Sequence, residues 1–252
     1  MKRQLPVHRF AREFDPAVRE MMDRPDADAG LLAADLRNLR VMNRWLGAHR
    51  LIRAEMEILF ADRSPNGGES AAPLTILDFC TGSADIPRVI VDWCRGHSVR
   101  VQVTATDLNP FMLDEARALS KGHPEISFER ADILHPDFSD RSHDLVMCNL
   151  ALHHFQAVDA IRALEHMWRI ARRAVLVNDL HRSRTLCMLA ERMVPRLTSN
   201  PITRFDAALS ARRAFTWDEM FRLASHARIP AARIHRYLLG RQVLVAIKEK
   251  TC

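Results

Sequence analysis

The chain has 252 residues, 48% of them apolar and 27% charged, which is enough for one large α/β domain with an appended segment and excludes a peptide-sized scaffold. No apolar run approaches the roughly 18–20 residues of a membrane helix, and charges such as Lys2, Arg3, Arg9, Arg12 and Glu13 interrupt the first twenty residues, so neither a span nor a secretory leader is expected and the expected location is the cytoplasm. The net charge of +6 divides into +1 over residues 1–72, −4 over 73–180 and +9 over 181–252; with no zinc finger, RNA-recognition signature or Lys-rich tail beside it, a solvated Arg-rich face or an anionic small substrate explains the basic quarter as well as nucleic acid would.

Asp15-Pro16 has the cap-then-proline order of a helix start, which predicts a short helix over 15–23. Apolar residues recurring every three to four from Leu32 to Leu59 predict one or two amphipathic helices over 30–61, broken at Gly47. The turn-rich stretch from Arg63 to Pro73 marks a linker, so residues 1–72 read as a helical N-terminal cap and 73–252 as the main domain. Strands then alternate with helices: Leu74–Phe79, helix 85–96, Val101–Thr106, helix 110–120, Ile126–Glu129, Asp144–Asn149, helix 157–171 and Ala174–Asp179. This alternation predicts a doubly wound, Rossmann-like α/β sheet with ligands at the strands' carboxyl ends. After a helix capped by Thr216, the runs Ile234–Leu239 and Gln242–Ile247 flank Gly240-Arg241 and predict a hairpin, giving a seven-stranded mixed sheet that ends on an antiparallel strand. Residues 181–214 lack a strand pattern and read as an inserted lid. An amphipathic helix is expected over 185–197, with Arg184, Arg192 and Arg196 among the lid's seven arginines.

The first strand runs into Leu77-Asp78-Phe79-Cys80-Thr81-Gly82-Ser83-Ala84-Asp85, a turn of small residues before a helix N-terminus where free N–H groups collect. The second strand carries Asp107 and Leu108 at its tip, and Ala131-Asp132-Ile133 and His143 to Asn149 follow in register. Together these stretches resemble the motif series of class I S-adenosylmethionine-dependent methyltransferases, over roughly residues 74–180. Asn43-Arg44-Trp45-Leu46-Gly47 and the run from Asn200 to Phe215 resemble a subgroup related to quinone and polyketide tailoring enzymes. Two of the family's three loop glycines are Cys80 and Ala84 here. The resemblance implies S-adenosylmethionine as cofactor, with Asp78, the 80–84 loop and Asp85 at its methionine end, Asp107 on the ribose, Asp132 with Ile133 on the adenine, and Asn149 closing the site. It implies methyl transfer, by O- or C-methylation, to a small aromatic, quinone-like or polyketide-like acceptor. Two alternatives stay open: a non-catalytic relative that only binds the cofactor, and a nicotinamide-dependent oxidoreductase, although Cys80 to Asp85 does not match G-x-G-x-x-G.

Asn149-Leu150-Ala151-Leu152-His153-His154 lacks the Asn/Asp-Pro-Pro-aromatic pattern of base methylation. His154, or failing it His153, is expected to act as general base, oriented by Asp179 from the neighbouring strand tip. Five scattered cysteines without C-x-x-C predict neither disulfides nor a thiolate metal site, and the spacing of His153, His154, Asp179 and His181 fits no standard metal motif. No metal is expected.

Overall fold

The computed structural model describes residues 11–60, 72–238 and 240–249. Seven strands form one sheet in the order β3-β2-β1-β4-β5-β7-β6. They are β1 (Leu74–Phe79), β2 (Val101–Asp107), β3 (Ile126–Arg130), β4 (His143–Asn149), β5 (Ala171–Leu180), β6 (Arg233–Tyr237) and β7 (Arg241–Ile247). The first five are parallel, and β7 runs antiparallel to both β5 and β6, as the Gly240 turn foretells. Phe79 lies opposite Thr106 and Cys148, and Asn149 opposite Asn178. The carboxyl ends of β1, β2, β4 and β5 therefore finish level, and the residues after them share one edge.

Helices cover both faces because β1, β4 and β5 are buried almost throughout, as parallel strands require. One face packs Ile52, Met56, Ile90 and Trp93 of α2 (Ala48–Phe60) and α3 (Asp85–Gly96) on Ile76, Leu145 and Leu176. The other packs Leu164 and Met167 of α5 (Ala157–Ile170), and Met220 and Leu223 of α9 (Trp217–His226), on Leu77, Val146 and Val175. Helix α4 (Pro110–Leu119) starts under an Asn109 cap with proline in its first turn. Helix α1 (Ala29–Trp45), capped by Asp28, ends just before Gly47, whose positive φ makes the expected break before α2. The expected linker lies largely outside the described residues.

Two expectations near the site are corrected. Residues 15–23 form a turn and a short 310 turn over Met21–Asp23 rather than one helix, because the Met21 and Met22 amides donate to the Asp206 carboxylate instead of to preceding carbonyls. The lid is also not one helix over 185–197. It breaks at Met193 into α6 (Arg184–Arg192) and α7 (Val194–Leu197), with Pro195 in the first turn of α7. Helix α8 (Pro201–Arg213) then starts under an Asn200 cap.

The lid is anchored at its base by Arg182, whose buried guanidinium donates to the Ala214 carbonyl and to both Glu219 oxygens, while Glu219 closes a capping box with Thr216. Burial works against an ionised Glu219, but the bonds from Arg182 and Thr216 outweigh it and hold the carboxyl below its ordinary range. Glu219→Gln keeps the volume and removes the charge, so it should cost about 1.5–3 kcal/mol of stability. An unchanged denaturation midpoint would show that the lid is held elsewhere.

Candidate active site

The expected site residues except Asp179, which is buried behind His153, line a cavity of about 1470 Å³ at the level strand ends, reaching from the 80–84 loop to the lid. At the end of β1, Cys80, Gly82 and Ala84 all have φ near +55°. Cys80 and Ala84 thus keep a glycine-like backbone at the positions where the resemblance has glycine. A side chain at Gly82 would meet nothing within 4 Å, leaving open space beside the loop and the N-terminus of α3. Asp107 fixes this loop: one carboxylate oxygen accepts from Gly82 N at 2.9 Å and the other from Asn109 N at 3.0 Å. Burial raises Asp107 above the ordinary carboxylate range despite those bonds.

Other expected residues are engaged within the protein. The Asp78 carboxylate accepts from Thr81 Oγ1 at 2.7 Å and Asn149 Nδ2 at 3.0 Å, and complete burial pushes it up to about 7. It supports the loop from beneath. Asp132 accepts from Leu134 N and pairs with His135, and it lines the cavity with Ala131 and buried Ile133. Asp85 accepts from Asn43 Nδ2 and bonds His49 Nε2; burial opposes its ionisation, but these partners prevail and hold it low. Beside it, buried Arg241 at the start of β7 donates from Nη2 to Asn43 Oδ1, while its Nε and Nη1 have no hydrogen-bond partner among the described residues. A buried guanidinium lining the cavity with two idle donors suits a ligand carboxylate.

The histidines depart from expectation. Asp179 holds His153, not His154: its Oδ1 lies 2.6 Å from His153 Nδ1, and its Oδ2 accepts from His153 N at 2.9 Å. His154 instead bonds Asp23 Oδ2 through Nδ1 at 2.8 Å, and its Nε2 lies 3.4 Å from Glu20 Oε2. Burial alone would lower His154, yet the charge of Glu20 and the bond and charge of Asp23 carry it up to about 10. His181 stacks on Trp217 at 3.9 Å. Glu20 is buried, accepts from Ser210 Oγ, and lies 3.7 Å from His153 Nε2. The N-terminal segment reaches the site through Arg12, which donates to the His153 and Phe155 carbonyls and stacks on Phe215. No periodicity or motif in the sequence signals Glu20, Asp23, Arg12 or Arg241.

With its folded pKa raised from 6.5 to about 10, His154 contributes stability that is complete below about pH 6.5 and lost as pH rises through 10. An NMR titration of its ring should therefore show a midpoint near 10. A midpoint near 6.5 would mean that Glu20 and Asp23 are not its partners in solution.

Residues 76–174 match the family model described as a methyltransferase domain. From β1 into β5 the chain is therefore similar to methyltransferase domains. The cofactor of this domain type is S-adenosylmethionine. Among solved structures, the methyltransferase fold here is similar to the CMeT domain of the citrinin polyketide synthase, at TM-score 0.56 and 16% identity, covering 74% of this chain and 48% of that one. It is also similar to DszA carbon methyltransferase, at TM-score 0.59 and 14% identity, covering 79% and 53%. Magnesium protoporphyrin IX methyltransferase from Synechocystis PCC 6803 with bound SAH superposes at TM-score 0.54 and 14% identity, covering 81% and 84%. At such identities the likeness is one of fold, and the chain spans about half the length of the first two. No curated protein matches it in sequence. The methyltransferase sheet has no accompanying helix long and apolar enough to cross a membrane among the described residues.

Proposed function

We propose that this chain methylates a neutral small molecule that presents an enolisable carbon or a phenolic hydroxyl, with His153 as general base and Asp179 as the residue that orients it. The observation carrying this reading is the His153–Asp179 pair at neighbouring strand tips beside the 80–84 loop. Asp179 accepts from Nδ1–H, which leaves the Nε2 lone pair to take the acceptor's proton. When bound, S-adenosylmethionine supplies a methyl group on a sulfonium centre. The protein's contribution is then alignment and proton removal. Arg241 and the loop would hold the methionine end, Asp107 the ribose hydroxyls, and Ile133 the adenine face.

Neutrality of the acceptor follows from the lining. Nine carboxylates line the cavity, among them Glu20, Asp23, Asp35 and Asp206, against four arginines. The lid arginines Arg184, Arg192, Arg196, Arg204 and Arg212 are not among the lining residues; of the two from the basic quarter that are, Arg213 donates to the Asp15 and Val18 carbonyls and Arg241 bonds Asn43, so most of that charge lies away from the acceptor. Mass spectrometry of ligand retained through purification, with calorimetry of S-adenosylhomocysteine, tests the reading. A folded protein that binds neither S-adenosylmethionine nor its product would overturn the methyltransferase reading, and one that binds both but transfers no methyl group would be the non-catalytic relative.

A second reading is favoured by one arrangement. Ligating atoms of Glu20, His153 and His154 lie within 4.8 Å of one another, and both Nδ1 atoms are tied to carboxylates, as second-shell acids orient metal-bound imidazoles. A divalent cation there would activate the acceptor oxygen and take the atom that His154 uses for its proton. Turnover that survives dialysis against a strong chelator removes this reading.

A further inference from the structure

We propose that the methyl acceptor is an amphiphile whose polar head meets His153 and whose long alkyl tail lies between α1 and the α6–α7 lid, an inference that rests on the small-molecule methyltransferase reading. Small-molecule sites occupy about 300–1,000 Å³. The cavity of about 1470 Å³ takes in both the 80–84 loop, where the cofactor would sit, and the space under the lid, so it has room for two such ligands. Polar groups meet where His153, Glu20, Asp206 and Ser210 lie, and Asn38 and Thr198 add a hydrogen-bonded pair to the lining. The lid helices themselves differ. Every lining position of α6 and α7 is apolar, from Leu186 to Leu197 at spacings of three and four, which is one helical stripe turned to the cavity. The end of α1 contributes Val41, Trp45 and Leu46.

These rim residues are conspicuous because they are also open to solvent. Trp45 is 79% exposed and Leu197 77%, and Val41, Leu46, Leu189 and Met193 are exposed as well, all lining the same cavity. Contiguous apolar surface of this kind marks a binding site in a soluble protein. Its continuity with the catalytic end of the cavity assigns the occupant to the acceptor itself, since a tail leaving the head group at His153 must pass along this stripe. The arginines of the outer lid face then serve as the solvated side of the same helices.

The experiment uses 1-alkanols from butanol to dodecanol as probes on the full chain, with and without S-adenosylhomocysteine. Each buried methylene adds about 0.8 kcal/mol, so Kd should fall about fourfold per carbon until the chain outgrows the groove. Met193→Glu combined with Leu197→Glu should flatten the trend for the longer chains while leaving S-adenosylhomocysteine affinity unchanged. A wild-type protein that binds S-adenosylhomocysteine but shows no chain-length trend overturns the proposal, as does an undiminished trend in the double variant. A missing trend together with a dimer in sedimentation equilibrium that the double variant disrupts would give the rim to a second copy of the chain. Failure to bind S-adenosylhomocysteine counts against the methyltransferase reading alone, because the alkanol series without it still judges the groove.

Discussion

His153→Gln loses about 10² to 10⁴ in turnover, the usual contribution of a general base, while S-adenosylmethionine affinity stays near wild type. The expectation follows from which nitrogen is free. Asp179 accepts from His153 Nδ1 and from the amides of His153 and Leu180, so the imidazole is fixed in one orientation, with Nε2 3.7 Å from Glu20 Oε1 at the cavity lining. Asp179→Asn should fall in turnover as well, because an amide nitrogen facing Nδ1 would favour the other tautomer. His154→Gln should lose far less. Carrying a proton up to about pH 10, its ring has no lone pair to offer at neutral pH. Glutamine is preferred to alanine at the buried 153 position because a cavity would confound stability with catalysis. If His153→Gln turns over normally, alignment alone drives the reaction, or the acceptor arrives already ionised.

Asp107→Ala raises the Kd for S-adenosylmethionine by about 10²-fold or more, since a carboxylate facing two ribose hydroxyls makes two hydrogen bonds worth about 1.5–3 kcal/mol each. The same side chain pins Gly82 N and Asn109 N, so the loop loosens too. Asp107→Asn should fall between, keeping one acceptor oxygen. Because burial raises the Asp107 pKa, wild-type affinity should start to decline, as pH falls, at a higher pH than an ordinary carboxylate would dictate. Unaltered calorimetry for folded Asp107→Ala would take the ribose away from this strand tip.

Much of this architecture could be read from the chain alone because its signals are local. Leu74–Phe79 and the helix over 85–96 have the boundaries that their apolar patterns predict, and the Gly240 turn announces the antiparallel end of the sheet. The strand, small-residue turn and helix over 74–96 are similarly legible, since they lie close together in the chain. The histidine partners were not. His154 meets Asp23 across 131 positions, and His153 faces Glu20 across a comparable span. Both acids come from a segment whose own pattern promised a helix, and only the amide bonds to Asp206, far along the chain, unwind it. Asp179 was rightly placed as a neighbour, yet adjacent histidines leave a strand in different directions, and sequence does not say which one turns inward.

The left-handed backbone at Cys80 and Ala84 has a thermodynamic consequence for the cofactor. A side chain in that conformation costs on the order of 1–2 kcal/mol, where glycine would sit without strain. Glycine, however, brings more freedom to the unfolded chain and must lose it to reach the same shape. A loop built with only Gly82 is therefore ordered when the domain folds, and little of its entropy remains to be lost when a ligand arrives. Recognition at this edge then resembles a key entering a cut lock, with discrimination resting on the fit of rigid amides instead of on a closing movement.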